Sequence, residues 1–507
     1  MKSLQKLFEV SLLITALGVF CQSCRKDPGN YVYKEVNEAT VTGLDSFYVV
    51  TKGEVLQITP IIGYTQDKIG DTVNYEYAWL WINKDGDKPR IPQKIGTMPI
   101  LKARMNNPLG LYNYSFRVTD KRTGIWKEYY FKVLINNKFY EGWYLLSETK
   151  GQQSRLDMLN YKAESKKYEF IPDILTAAGS ALKLKGTPSL ISYFRSNGIP
   201  SLTEGGGEAI VVGTSEMATF LGTDSLQYLP SYDFSSFVLN QKNVAIGKGS
   251  KIYAADPYVF LWANGKAYSN TSNGILSEIS RIGPGDLFLP PPSFIAAPFI
   301  AGTNSAVLFD ETSSEFVWYP GNSANSCYPL PNEETLFKNK IDKNLLFMKL
   351  VENSKNEVFA ILKDKIGDKV YLAKFTAEKQ NYFAEITNTP IAQATHFEIS
   401  SDFGYIFYSV GNKVYSYDAN LKLNKEMLDY GNRRISLLKF EKINSNTPNE
   451  RYAAIGKHLC ICTYDEADLS GSGSFEIYSV PPANAELVKE ESFSGMGKVI
   501  SICYRTR

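Results

Sequence analysis

The sequence predicts a mainly β protein, an immunoglobulin-like sandwich over residues 37–137 followed by a β-propeller over residues 138–507. Three observations carry this reading. Tyr75, Tyr77, Trp79 and Trp81 recur at every second position, which places four aromatics on one face of a strand. After residue 138, short Tyr- or Phe-rich strands joined by polar hairpin turns recur roughly every 45–60 residues, about six to eight times. Tyr (33) and Phe (28) are abundant, and Gly and Pro are spread along the chain, the balance of a β-rich fold with many turns.

The N-terminus reads as a targeting segment. Lys2 and Lys6 form a basic start, interrupted by Glu9, and a mostly apolar stretch follows from Val10 to Cys21. That stretch is too short to cross a bilayer, which takes roughly 20 residues. It has the length of a signal-peptide core. Cys21-Gln-Ser-Cys24 follows. A lipoprotein signal peptidase needs a small residue before the modified cysteine. Ser23 before Cys24 meets that need, and Phe20 before Cys21 does not. Residues 1–23 are therefore expected to be a lipoprotein signal peptide and Cys24 the lipidation site. A plain cleaved signal peptide is the alternative. Each buried CH₂ of an acyl chain contributes about 0.8 kcal/mol, so two or three chains hold a protein on a membrane without a spanning helix. The polar, turn-rich residues 24–36 then form a tether.

Within residues 37–137 the strand candidates are Ser46–Val50, Glu54–Ile58, Tyr75–Trp81, Tyr112–Val118 and Trp126–Leu134. The last two flank Asp120–Gly124, a hairpin with a longer polar turn. Seven or so short strands in about 100 residues fit a sandwich. In residues 138–507 the hairpins are clearest at Trp143–Leu146 with Arg155–Leu159, Ala306–Phe309 with Phe316–Tyr319, and Val358–Leu362 with Lys369–Phe375. Tyr405–Tyr408 pairs with Lys413–Tyr417, and Tyr452–Ile455 and Leu459–Thr463 lead the last unit. A pair of further sandwiches is the alternative for this region.

Composition narrows the function. A chain of 507 residues exceeds one ordinary core, so two or more domains are expected. The net charge is +2, and removing residues 1–23 leaves about +1. There is no basic excess to attract nucleic acid. His396 and His458 are the two histidines and have no partner at metal-binding spacing. Cys327, Cys460, Cys462 and Cys503 contain no C-x-x-C pair. Cys460 and Cys462 share one side of a strand and read as core, with a disulfide from one of them to Cys503 left open. Asn83, Asp85 and Asp87 resemble the start of a calcium loop, but Lys94 stands where a bidentate glutamate is needed, so a tight turn is expected. Gly205–Gly207, Gly247–Gly249 and Gly471–Gly473 lack the P-loop lysine. No metal site, cofactor or catalytic residue is assigned, and the ligand-binding residues stay unknown. Two placed acids would suffice for a glycosidase, so a propeller glycosidase or lyase remains an alternative.

Three features together resemble a known family: the lipoprotein signal ending at Cys24, the strand Tyr75-Glu-Tyr-Ala-Trp-Leu-Trp81, and Tyr114-Ser-Phe-Arg-Val-Thr-Asp120. Over residues 1 to about 140 the chain is similar to the PKD-like lipoproteins of Bacteroidota. It lacks the Trp-Asp-Phe-Gly-Asp-Gly turn of that pattern, so the likeness is one of architecture. The resemblance implies an accessory lipoprotein of the outer membrane, facing the cell surface, working beside a SusC/SusD-type transporter in nutrient uptake. It further implies a protein that captures or hands over oligopeptides or oligosaccharides and carries no catalytic residues. A scaffold docking on the transporter is the third reading. Surface export in such bacteria favours acids after the lipidated cysteine, and here Arg25-Lys26-Asp27 supplies one acid after two bases.

Overall fold

The computed structural model describes residues 37–506 except 68–72, 83, 86–87, 90, 108–109, 137, 140, 196–207, 224–225, 238–250, 256–257, 264–265, 271–275, 283–293, 297–304, 322–323, 325, 352–355 and 444–448. The expected signal peptide, Cys24 and tether lie outside the described residues. So do Asn83 and Asp87 of the calcium-like turn, Gly205–Gly207, and Gly247–Gly249. Contacts divide the chain into two units, Met1–Asn136 and Asn137–Arg507.

The first unit is a β-sandwich. Its larger sheet orders the strands Phe47–Thr51, Trp126–Asn136, Gly110–Asp120, Tyr75–Ile82 and Gln93–Gly96. Two antiparallel pairs, Ala39–Thr42 with Ile61–Tyr64 and Val55–Ile58 with Leu101–Arg104, contribute to the same core. Strand alternation sends Tyr75, Tyr77 and Trp79 into that core as expected. Trp79 is fully buried and stacks on Phe116 at 4.2 Å. Trp81 packs at the margin, edge-on to Tyr112. The hairpin across Asp120–Gly124 forms with Tyr114 opposite Phe131. At its turn, Arg122 donates to Asp120 (2.7 Å) and to Asp67 (2.5 Å). The Arg122 bonds hold the Asp120 carboxyl at about 2, against an ordinary 3.8. A depressed carboxyl contributes stability above its unfolded value and loses it as pH falls through the folded value. Asp120→Asn is therefore expected to lower the sandwich melting temperature at pH 7, with the deficit closing between pH 4 and pH 2. A deficit that persists unchanged at pH 2 would count against this pairing.

The second unit is a seven-bladed propeller. Among the described residues, six sheets follow one another along the chain, and the eight-stranded one divides at a parallel pairing into two antiparallel halves, which gives seven blades. Blade 1 joins Gly142–Thr149, Gln153–Lys162 and Lys167–Ile171 to the C-terminal strand Lys498–Arg505. Blade 2 has three strands, Pro188–Arg195, Glu208–Thr214 and Ala218–Gly222, with a single bridge from Thr219 to Asp233 beyond them. Blade 3 runs from Lys251–Ala255 to Leu276–Ile282, and blade 4 from Ile295–Ala296 to Ser326–Pro329. The last strands of these two blades pair in parallel through Ser280 and Ser326. Blades 5, 6 and 7 are four-stranded meanders beginning at Lys343–Val351, His396–Ile399 and Arg434–Phe440.

Ring closure follows from packing. A strand has two faces, and here each face of a blade buries against a different neighbour. Seven separate apolar cores result, one per junction. In blade 7, Cys460 and Cys462 face blade 1 beside Trp143, while Leu459 and Ile461 face blade 6 beside Phe407. The seventh core, between blades 7 and 1, is what an open row of seven sheets would lack. These cores favour the propeller over a pair of further sandwiches.

One expected strand is a helix. Tyr452–Ile455 lies within Glu450–Lys457, whose Asn449 side chain accepts from the Arg451 N–H at 2.9 Å. Tyr452 and Ile455 are three apart and bury on the same side, and Ala453 and Ala454 between them favour a helix.

Candidate functional site: a polar belt on the innermost strands

The first strand of each blade is innermost, with Lys498–Arg505 taking that place in blade 1. Successive innermost strands touch at the 1–2, 2–3, 4–5, 5–6, 6–7 and 7–1 junctions. Functional groups in a propeller converge here, so the charged side chains on these strands are the natural candidates.

Four of them form a belt. Glu398 is buried, and its Oε1 accepts from Lys349 Nζ of blade 5 at 2.6 Å and from the Ile399 N–H at 2.8 Å. Its Oε2 accepts from the Phe440 N–H of blade 7 at 3.2 Å. Glu441 is also buried and pairs with Lys439 at 2.7 Å. Lys439 donates across to the Ile502 carbonyl of blade 1 at 2.6 Å. Ser501 then accepts from the Ile191 N–H of blade 2 at 3.1 Å. A chain of bonds thus runs from blade 5 through blades 6, 7 and 1 to blade 2.

A buried charge persists only when paired and hydrogen-bonded. Burial pulls the Lys439 ammonium down, but Glu441 and Glu398 more than offset it and keep the group protonated. Burial pushes the Glu441 carboxyl up, partly opposed by Lys439. Each charge in the belt answers a group on its own or the next blade, so the belt holds neighbouring blades in register.

Both histidines are held by local contacts in their blades. His396 Nδ1 meets Ser409 Oγ at 2.8 Å and Thr395 Oγ1 at 3.0 Å. Burial lowers its pKa, so the ring is neutral. Ser409 is fully buried, so this Ser–His contact has no route to a substrate. His458 follows the blade 7 helix as its C-cap, and burial lowers its pKa as well. Cys327, Cys460, Cys462 and Cys503 are buried free thiols, and burial raises the pKa of each. A thiol held protonated is a poor nucleophile. Among the described residues no group of three or more His, Cys, Asp or Glu could hold a metal ion. Nor is any helix there long and apolar enough to cross a membrane.

Sequence reading did not single out Lys349, Glu398, Lys439 or Glu441. A signal existed: Lys349, Glu398 and Lys439 each interrupt an apolar strand, as in Phe397-Glu-Ile399 and Leu438-Lys-Phe440, and Glu441 follows the last of these strands directly.

Comparison with known proteins places the N-terminal part. Residues 24–186 match the PKD-like family. The match begins at Cys24 and runs beyond the sandwich through the first hairpins of blade 1, further than the 140 or so residues the resemblance covered. No curated protein matches the chain. Among solved structures, a quinonprotein alcohol dehydrogenase-like protein from Bacteroides thetaiotaomicron is similar at 15% identity and TM-score 0.40, covering 90% of this chain and 96% of that one. A putative 6-phosphogluconolactonase from Bacteroides uniformis is similar at 13% identity and TM-score 0.41, covering 72% and 99%. A lignostilbene dioxygenase from Pseudomonas brassicacearum is similar at 9% identity and TM-score 0.41, covering 72% and 92%.

Proposed function

We propose that this protein is a lipid-anchored accessory component of a SusC/SusD-type nutrient uptake system. In this reading Cys24 carries the lipid in the outer membrane, facing the cell surface. The sandwich spaces the propeller from the anchor. The propeller binds or hands over oligopeptides or oligosaccharides without chemistry of its own. The observation that carries the reading is the PKD-like match starting at Cys24, the residue that Ser23 marks for lipidation. The belt supports a rigid frame for this role, because its charges are engaged with groups on their own or the next blade.

Affinity purification of the detergent-solubilised lipoprotein tests it. A SusC/SusD-type transporter is expected in the eluate, and its consistent absence would defeat the reading. Release of sugars or peptide fragments by the purified protein would defeat the non-enzymatic part.

A further inference from the structure

We propose that the outward face of the five-stranded sheet in the sandwich lies against a lipid surface, the membrane to which Cys24 tethers the chain. The inference rests on the anchor reading above.

The side chains of that sheet alternate. Tyr48, Val50, Tyr114, Phe116, Phe131 and Val133 point into the sandwich core. Their neighbours point the other way. On that outward face Phe47, Val49, Leu111, Trp126 and Tyr130 stay 44–67% exposed. Strand register makes them contiguous. Leu111 stands opposite Leu134, Leu134 opposite Val49, and Lys132 opposite Phe47. Tyr130 stands two residues from Lys132 on the same strand and opposite Ser115.

The charges on this face are unevenly committed. Glu128 is buried against Arg117 at 3.0 Å, and Glu76 is paired with Lys94 at 3.2 Å. Arg117 also covers the Trp126 ring at 4.7 Å. Lys132 is exposed among the apolar side chains and, among the described residues, has no carboxylate partner. Aromatic rings with a surplus cation suit a headgroup layer. Trp and Tyr settle at the membrane interface, and Lys reaches anionic lipid. The core of a protein interface is instead depleted of charge.

Chain length adds the second argument. Asn37 lies thirteen positions after Cys24, with twelve residues between them. Fully extended, that stretch spans at most about 47 Å. A lipid on Cys24 would therefore keep Asn37, where the sandwich begins, within that reach of the bilayer, so that even a weak affinity of the sheet for the surface gains from the high local concentration.

Vesicle flotation of the mature chain from Arg25 onward, carrying no lipid, tests the proposal. The chain is expected to float with phosphatidylethanolamine vesicles in which about a quarter of the lipid is phosphatidylglycerol. The pair Trp126→Ser and Tyr130→Ser should reduce binding roughly tenfold. Lys132→Glu should reduce it about fivefold and weaken its salt dependence. Because these side chains are exposed, the melting temperature should stay unchanged. No flotation of the parent chain, or flotation indifferent to these substitutions, would overturn the proposal. So would substitutions that dissolve a dimer, or abolish transporter co-purification, with no vesicle binding by the parent. The anchor is read separately: labelled palmitate still incorporated into Cys24→Ala would defeat the anchor reading and leave the flotation result standing.

Discussion

Truncation after Gly497 is expected to abolish folding of the propeller. The missing strand, Lys498–Arg505, is the innermost strand of blade 1, yet it arrives from the far end of the chain. It pairs with Gly142–Thr149, with a bulge between Leu146 and Ser147. Val499, Ile502 and Tyr504 fill the core between blades 7 and 1, and Cys503 fills that between blades 1 and 2. Burying a large apolar side chain contributes about 1.5–3 kcal/mol. Four such groups approach the whole net stability of a typical domain, about 5–15 kcal/mol. Arg505 adds to the loss, since it is fully buried and donates to the Phe139 carbonyl at 3.0 Å. The sandwich has its own core and should keep its own unfolding transition. Urea titration followed by tryptophan fluorescence and circular dichroism would show one transition surviving and one gone. A truncated chain that keeps both transitions, each within about 1 kcal/mol of the parent, would refute this account of closure.

Two glycines in the same two blades should tolerate no substitution. A Cβ on Gly142 would stand 2.0 Å from the Leu159 carbonyl oxygen, at a φ of +140°. A Cβ on Gly473 would stand 1.9 Å from the Gly497 carbonyl oxygen. Both contacts are backbone, which cannot swing aside.

Much of this fold was legible because β-structure writes itself with a period of two. Tyr75 to Trp81 declared both a strand and the face it buries, and the hairpins at Ala306–Tyr319 and Val358–Phe375 formed with the expected partners. Periodicity is local, however, and closure is not. Nothing near Lys498 announces a partner at Gly142, more than 350 residues earlier, so the number of blades stayed between six and eight. Tyr452–Ile455 is ambiguous in sequence for a related reason. Four residues with apolar ends satisfy a strand as readily as one helical turn, and the Asn449 cap before them decides for the helix. The belt is not legible in the sequence because a lone Lys or Glu on a strand reads as solvated. Only the ring shows that Glu398 faces Lys349 from one blade and Phe440 from another.

Arg451→Met is expected to destabilise the propeller by about 2–4 kcal/mol. Arg451 sits in the first turn of the blade 7 helix and reaches across the closing junction. It forms an ion pair with Glu141 and donates to the Tyr504 hydroxyl at 2.6 Å. Tyr504 in turn donates to Glu141 Oε1 at 2.7 Å. The three residues close a triangle joining the helix, the C-terminal strand and the entry to blade 1. The guanidinium also lies 4.0 Å from the Tyr161 ring and 4.7 Å from that of Tyr452. Methionine retains much of the stem and its ring contacts, so the substitution isolates the charge and its donors. Glu141 is buried, and losing Arg451 leaves its carboxylate with Tyr504 as the partner in this triangle. An unpaired buried charge is what makes the effect large. Glu141→Gln should then relieve part of the damage. The double variant is expected to be at least about 1 kcal/mol more stable than the sum of the single effects. Urea midpoints of the four proteins decide the matter. A change below about 0.5 kcal/mol for Arg451→Met, or strict additivity in the cycle, would show that the closing junction is held by its apolar core alone.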